Sequence, residues 1–321
     1  MRRGVAPALT DAGQAALAAY AEHLRQQHDL RPATYRNYTS DLRQFAAWCE
    51  QTWRAADAVA AFTPAHLTTP TLTAYRSHLQ TIGLSPATIN RHLVSLKRYC
   101  AWAHEQKLVA VDPGRPVKLV PRVPQPPRQL SDREEAALVA AVTAYGTARD
   151  RALLVLALHT GLRAEELCGL RPADVTVQRR SGLVRVYGKR NKYREVPLNS
   201  TARDTLRTYL ATMPKDAPCL FPSRKGGETA GGEAGEDTTR MAVSITPRAL
   251  GYLVARYAHL AKVPDLSPHD LRHRFGYRMA KAVPLHRLAQ LMGHDSLDTT
   301  RIYVASTRQD LQEAVETIAW Q

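Results

Sequence analysis

Leu291-Met292-Gly293-His294-Asp295-Ser296-Leu297-Asp298-Thr299-Thr300-Arg301-Ile302-Tyr303 places a histidine nine residues ahead of a tyrosine. Two clusters upstream carry related chemistry. Ser267-Pro268-His269-Asp270-Leu271-Arg272-His273 reads as a helix start. The serine caps, the proline takes the first turn, and Asp270 holds the capping-box position. His269 and Arg272 then share one face near an N-terminus whose free N–H groups and positive dipole favour an anion such as phosphate. Further back, His159-Thr160-Gly161-Leu162-Arg163-Ala164-Glu165-Glu166-Leu167 ends an apolar helix containing Leu153, Leu154, Leu156 and Leu158. Glycine permits a bend at Gly161, and Arg163 opens a short helix through Leu170 with Glu166 on the same face. Taken singly, each cluster has a plain reading: a buried aromatic before the last helix, a cap partner, a surface ion pair.

Between the clusters, Leu183–Tyr187 and Tyr193–Leu198 alternate apolar and polar residues as two antiparallel strands. Gly188-Lys189-Arg190-Asn191-Lys192 is their hairpin tip and carries three cations. A tip projects side chains with little backbone around them, so a lysine there reaches into a groove. Residues 226–237, rich in Gly and Glu, read as an acidic loop without a core and without assigned chemistry. Thr246-Pro247-Arg248 starts a further helix running to about Ala261.

The first hundred residues read as an all-helical unit. Leu17, Tyr20 and Leu24 mark one amphipathic helix; Tyr35, Tyr38, Leu42, Phe45 and Cys49 a second; Leu72, Tyr75 and Leu79 a third; Ile89, Leu93, Leu96 and Cys100 a fourth. The second and fourth echo each other: Leu42 matches Leu96, Arg43 matches Lys97, Phe45 matches Tyr99, and Trp48 matches Trp102. Arg36, Arg43, Arg91 and Lys97 are candidates to face a DNA duplex, with a solvated basic face as the plain alternative. From Asp112 to Arg128 six prolines prevent helix and favour an extended basic strap. Ser131 with Glu134 then caps a new domain. The expected division is 1–112 helical, 113–129 linker and 130–321 mixed.

Lys+Arg number 44 against 29 Asp+Glu, a formal charge of +15, which points to a polyanionic partner. The four cysteines (Cys49, Cys100, Cys168, Cys219) form no C-x-x-C pair, which argues against a zinc site or disulfide framework and suits a reducing cytoplasm. Asp11, Gln14 and Glu22 interrupt the Ala-rich start, so a signal peptide is not expected. The strongest apolar run, Ala152 to Leu158, is too short to span a bilayer.

Together the clusters resemble the tyrosine recombinase (phage integrase) family, most closely its short Xer-type members. The resemblance rests on T-G-L-R-x-x-E at Thr160–Glu166, G-K-x-N-K at Gly188–Lys192, H-x-L-R-H at His269–His273, and L-x-G-H followed by tyrosine at Leu291–Tyr303. It implies a mainly α protein with a small antiparallel sheet: a helical core-binding domain and an α+β catalytic domain that clamp double-stranded DNA. The family's catalytic set falls on Arg163, Lys189, His269, Arg272, His294 and the nucleophile Tyr303, with Glu166 as supporting acid. Lys192 joins the DNA-binding candidates. Gly276-Tyr277, where smaller polar pairs are common, and the acidic loop depart from the pattern.

The chemistry follows from the residue types. Two guanidiniums can hold non-bridging phosphate oxygens by paired hydrogen bonds and stabilise a five-coordinate transition state. A tyrosine with pKa near ~10 needs a base or cationic neighbours, the work expected of His269. Lys189 is the candidate general acid for the departing 5′ oxygen, and His294 a donor to a non-bridging oxygen. The product is a 3′-phosphotyrosyl link, and no metal or cofactor is required. The resemblance further implies a ring of four on synapsed DNA, with a tail helix over residues 307–320 docking onto a neighbour. It leaves open a sister recombinase or an accessory translocase, and places the protein at the cytoplasmic nucleoid. The chain begins almost at the core-binding helices, which favours the simpler Xer-like use. Two alternatives are relaxation of one duplex in the manner of a type IB topoisomerase, and DNA binding without catalysis.

Overall fold

A computed structural model describes residues 9–27, 30, 32–55, 61–122, 127–187, 193–224, 243–294, 296–303 and 316. The chain divides into two compact units, residues 1–124 and 125–321.

In the first unit α1 (Asp11–Gln26), α2 (Pro32–Ala55), α3 (Thr69–Thr81) and α4 (Pro86–Glu105) enclose one core. Thr10, Thr68 and Ser85 cap α1, α3 and α4 by accepting from backbone N–H groups inside each first turn. Proline follows the cap in α3 and α4, where its missing N–H costs nothing. The echo between α2 and α4 is a packing echo, because Leu42, Leu96, Phe45 and Tyr99 are all buried in that core. Asp41, also buried, accepts two hydrogen bonds from Arg91 at 2.5 and 2.6 Å and one from Ser95 at 2.8 Å.

The Pro-rich segment is fastened to the first unit over most of its length. Lys97 Nζ donates to the carbonyls of Arg115 and Val117, Asn90 pairs with the backbone of Val120 in both directions, and Val117 is buried in the helical core. Side chains from α4 supply the backbone hydrogen bonds that prolines deny it. The described part of the segment up to residue 122 thus belongs with the first unit.

In the second unit α5 (Asp132–Tyr145) opens on the expected Ser131–Glu134 capping box. Next comes α6 (Ala148–Thr160), buried from Ala152 to Leu158, then α7 (Ala164–Cys168). The sheet is antiparallel in the order β1 (Val175–Val177), β2 (Gly182–Tyr187), β3 (Tyr193–Pro197), with Val184 opposite Val196. β1 was not expected from the sequence; three residues are too few for an alternating pattern to register. α8 (Ser200–Leu210), α9 (Pro247–Leu260), α10 (Pro268–Ala280), α11 (Leu285–Met292) and α12 (Leu297–Arg301) follow the sheet. The acidic loop, the hairpin tip and the expected tail helix lie outside the described residues. Among those described, no helix is long and apolar enough to cross a membrane.

Candidate active site

Helix α10 carries the site's main stripe. Ser267 caps it and Asp270 closes the capping box, accepting from the Ser267 N–H at 2.9 Å and its hydroxyl at 2.6 Å. Positions 269, 272, 273 and 276 are spaced three and four apart and so share one face. They present His269, Arg272, His273 and a gap at Gly276.

Arg272 is buried and stapled by the ends of two other helices. Its guanidinium donates to the carbonyls of Gly161, at the C-cap of α6, and Met292, at the end of α11, at 2.5 and 2.9 Å. Both carbonyls are left unpaired by their helices and lie at negative dipole ends, which suits a cation. The same guanidinium lies 2.8 Å from His294 Nε2. Gly161 makes this possible through φ of +62°, and a side chain there would press a Cβ to 2.4 Å from the ring of Phe275. Burial and the nearby Arg163 charge bring Arg272 down to about 10, and it stays a cation at neutral pH.

Arg163, at the N-cap of α7, donates to Glu166 at 3.0 Å and to the Gly293 carbonyl at 2.7 Å. Glu166 also accepts from the Arg163 backbone N–H at 2.7 Å and from both terminal nitrogens of Arg194 at 2.9 and 2.8 Å. Burial alone would raise the Glu166 carboxyl. The Arg194 hydrogen bonds, the Arg163 N–H and the two cationic charges outweigh it and leave the group at about 2. Arg194 was not singled out in the sequence, although it shares the inward face of β3 with the buried Val196, a signal available from alternation alone. Its Nε donates to the Leu291 carbonyl, and a Cβ on Gly293 would lie 2.6 Å from its Nη1.

Tyr303 is buried, in an apolar seat with Phe275, Leu288 and Met292. Its ring packs edge-on to Tyr277 at 5.2 Å and stacks at 6.4 Å with His294, which is itself 2.8 Å from the buried Thr300 hydroxyl. A Cβ at Gly276 would stand 2.6 Å from Cε1 and Cζ of that ring. The departure noted at Gly276-Tyr277 is thus the floor and wall of the tyrosine's seat. The Tyr303 hydroxyl is 2.8 Å from His273 Nδ1. No described hydrogen bond joins it to His269, whose ring meets His273 edge-on at 4.2 Å. Burial pushes the phenol up to about 12. Burial, then the neighbouring cationic groups, hold His273 and His294 at about 4 and move His269 downward. His273 and His294 are therefore neutral at neutral pH.

Arg163, Glu166, Arg272, His294 and Tyr303 are thus brought together, with His269 beside His273. Lys189 and Lys192 lie outside the described residues. In the first unit Arg36 and Arg43 are exposed, Arg91 is committed to Asp41, and Lys97 to linker carbonyls. Among the described residues no cluster of His, Cys, Asp and Glu has the make-up of a metal site.

A profile described as "Phage integrase family" matches residues 128–310, and one described as "Phage integrase, N-terminal SAM-like domain" matches residues 17–107. The chain is similar to the tyrosine recombinase XerC of Corynebacterium efficiens, with 32% identity covering 88% of this chain and 84% of the relative. It is similar to the tyrosine recombinase XerD of Ralstonia nicotianae, with 35% identity over 70% of this chain and 71% of the relative. Among solved structures, the XerH site-specific recombinase bound to its difH substrate before cleavage superposes with a TM-score of 0.67 at 21% identity, over 93% of this chain and 83% of that one. The Tn1549 transposon integrase in complex with circular intermediate DNA gives 0.68 at 20% identity, over 94% and 98%. At those identities the structural likeness speaks for the fold.

Proposed function

The chain belongs to the phage integrase family of tyrosine recombinases, which cut and rejoin DNA strands, and from that premise we propose that Tyr303 is its nucleophile and Arg163 and Arg272 its phosphate clamp. Tyr303 attacks a phosphodiester, forming a 3′-phosphotyrosyl link and freeing a 5′ hydroxyl. The ester keeps the bond energy, so rejoining needs no ATP. Arg163 and Arg272 bind the non-bridging oxygens and stabilise the charge of the five-coordinate transition state. His294 and His269 add donors to those oxygens, Glu166 fixes Arg163, and Lys189 protonates the 5′ oxygen.

One observation carries this reading. Two guanidiniums, Arg163 and Arg194, bond the carboxylate of Glu166, a third, Arg272, lies within reach of its charge beside a buried tyrosine, and Asp270 is spent on its helix cap. Such a site has positive charge to spare for one anion. Against the non-catalytic reading stands the seat built for the tyrosine itself.

The finer assignments extend the same proposal. Arg36, Arg43 and Lys192 meet the duplex backbone, while Arg91 and Lys97 do so only by exchanging their present partners. Four copies assemble on two synapsed sites, each tail docking on a neighbour. The role is Xer-like, at the nucleoid, resolving DNA dimers or integrating DNA with or without a sister recombinase or translocase.

Trapping the native protein on fragmented genomic DNA, and sequencing what is covalently held, identifies the site. A nicked suicide duplex carrying that site then tests the nucleophile. Native protein should accumulate a covalent adduct and Tyr303→Phe none; an adduct with the phenylalanine variant refutes the assignment.

A further inference from the structure

Tyr303 must lose its phenolic proton to attack, and the group that faces that proton is not the histidine expected from the sequence. His269 stands in the first turn of α10, its ring packed on His273 but with much of the residue open to solvent. One turn deeper, His273 is buried, with Nδ1 2.8 Å from Tyr303 Oη. The two rings lie 5.6 Å apart at 53°. The seat fixes the tyrosine from its other sides through Gly276, Tyr277 and His294.

Accepting the reading that Tyr303 is the nucleophile, we infer that His273 is the catalytic base that takes the Tyr303 proton during strand cleavage. As the Oη–P bond forms and the bond from phosphorus to the 5′ oxygen breaks, the phenolic proton passes to Nδ1 and leaves an imidazolium. The departing 5′ oxygen takes its proton from the general acid proposed for Lys189. On rejoining, the 5′ hydroxyl gives its proton back to that general acid as it attacks the phosphotyrosyl phosphorus, and the imidazolium returns its proton to the departing Oη. The cycle closes with no net proton taken up.

The surroundings suit this exchange. A protonated phenol beside a neutral imidazole donates to Nδ1 when the ring carries its hydrogen on Nε2. The groups facing His273 are His269, Asp270 and Arg272 from its own helix, His294 from the end of α11, and Tyr303. Burial first, then His269 and Arg272, keep the imidazole unprotonated before attack against the opposing pull of Asp270. Two changes then favour the transfer. The phosphate's negative charge favours the imidazolium, and the tyrosine oxygen becomes far more acidic as its lone pair is drawn into the bond to phosphorus.

His273→Asn separates a base from a mere holder, since its amide keeps a hydrogen-bonding atom near the Nδ1 position but cannot carry the proton. On the nicked suicide duplex, single-turnover cleavage should fall about 10²- to 10³-fold. Binding to the same duplex should stay within about twofold of native. The remaining rate should climb about tenfold per pH unit above neutrality, as hydroxide replaces the missing base, with a shallower slope for native protein. A bridging 5′-phosphorothiolate at the scissile position supplies a leaving group that needs no protonation. It should rescue Lys189→Ala and leave His273→Asn slow. A near-native rate in His273→Asn, or a slow rate with the native pH slope, overturns the inference. His273→Gln, checked by thermal melting, is the second variant if the first does not fold, and the same two results overturn it there. An adduct formed by Tyr303→Phe would instead defeat the nucleophile assignment on which the inference rests.

Discussion

Each unit buries a carboxylate among basic groups, and the two sites differ in what is left over. In the first unit Asp41 faces one guanidinium, Arg91, with Ser95 donating and His92 3.5 Å away. One anion meets one cation, and the group ties α2 to α4. In the second unit Glu166 faces two guanidiniums directly, Arg163 and Arg194, with Arg272 close enough for their charges to interact. There the carboxylate fixes the cations without neutralising them, and helix-end carbonyls at Gly161, Met292 and Gly293 take up some of the remaining N–H groups. The same device makes a strut where charges balance and an anion receptor where they do not.

If geometry as well as charge makes the receptor, Arg272→Lys gives the largest effect. Lysine keeps the charge but loses the planar fork that reaches Gly161, Met292 and His294 at once. Covalent adduct formation should fall about 10²- to 10³-fold, with DNA affinity changed far less. A lysine variant cleaving within a few-fold of native would reduce the receptor to charge alone.

Glu166 gives the next effect, read through pH. Its folded value of about 2 lies below its ordinary 4.5, so its stabilising contribution is complete above 4.5 and is lost as pH falls towards 2. The shift corresponds to about 3 kcal/mol at most, since the site is not fully closed to solvent. The stability difference between native protein and Glu166→Gln, from urea unfolding, should shrink across that window. A difference that holds constant there would mean that Glu166 acts through packing rather than through its charge.

Much of this receptor was legible in the sequence because it sits at element ends. Caps, glycines and helical spacing are local signals, and they placed Ser267, Gly161 and Arg163 on helix boundaries and Arg272 one turn inside α10. Arg194 and Thr300 escaped notice because their roles depend on which segments meet, which no local pattern encodes. His273 was visible within its motif, but a choice between it and His269 needs the tyrosine's position in three dimensions. The linker's attachment escaped notice for a related reason. Proline density predicts an extended backbone, but not that Lys97 and Asn90 would bind it to α4. Their commitment to carbonyls also shows why a basic residue on a helix cannot be assigned to DNA from spacing alone.

Asp41→Ala tests the other side of the comparison. It removes the acceptor of Arg91 and the buried Ser95. Arg91 is about two-fifths exposed and regains water, so the loss should be about 2 kcal/mol rather than the larger figure for a fully buried pair. The full chain should melt several degrees lower, while adduct formation below the transition stays near native. A folded Asp41→Ala protein with a large cleavage defect would show that the strut also serves the reaction.

The smallest effect on stability is expected at Gly276, where the two units differ in how they bury a tyrosine. Tyr99 in the first unit lies in the core with no hydrogen-bond partner for its hydroxyl among the described residues, held by apolar packing. Tyr303 lies over a glycine, with its hydroxyl on His273. An alanine at 276 favours the helix by up to about 1 kcal/mol, and its Cβ crowds the Tyr303 ring by a comparable amount. The melting temperature should therefore move little. Cleavage should nonetheless fall by about tenfold, because displacing the ring by even an ångström breaks the contact to His273. A Gly276→Ala protein that cleaves faster than native would mean the opposite: that the seat restrains Tyr303, and that attack begins only once the hydroxyl has left His273.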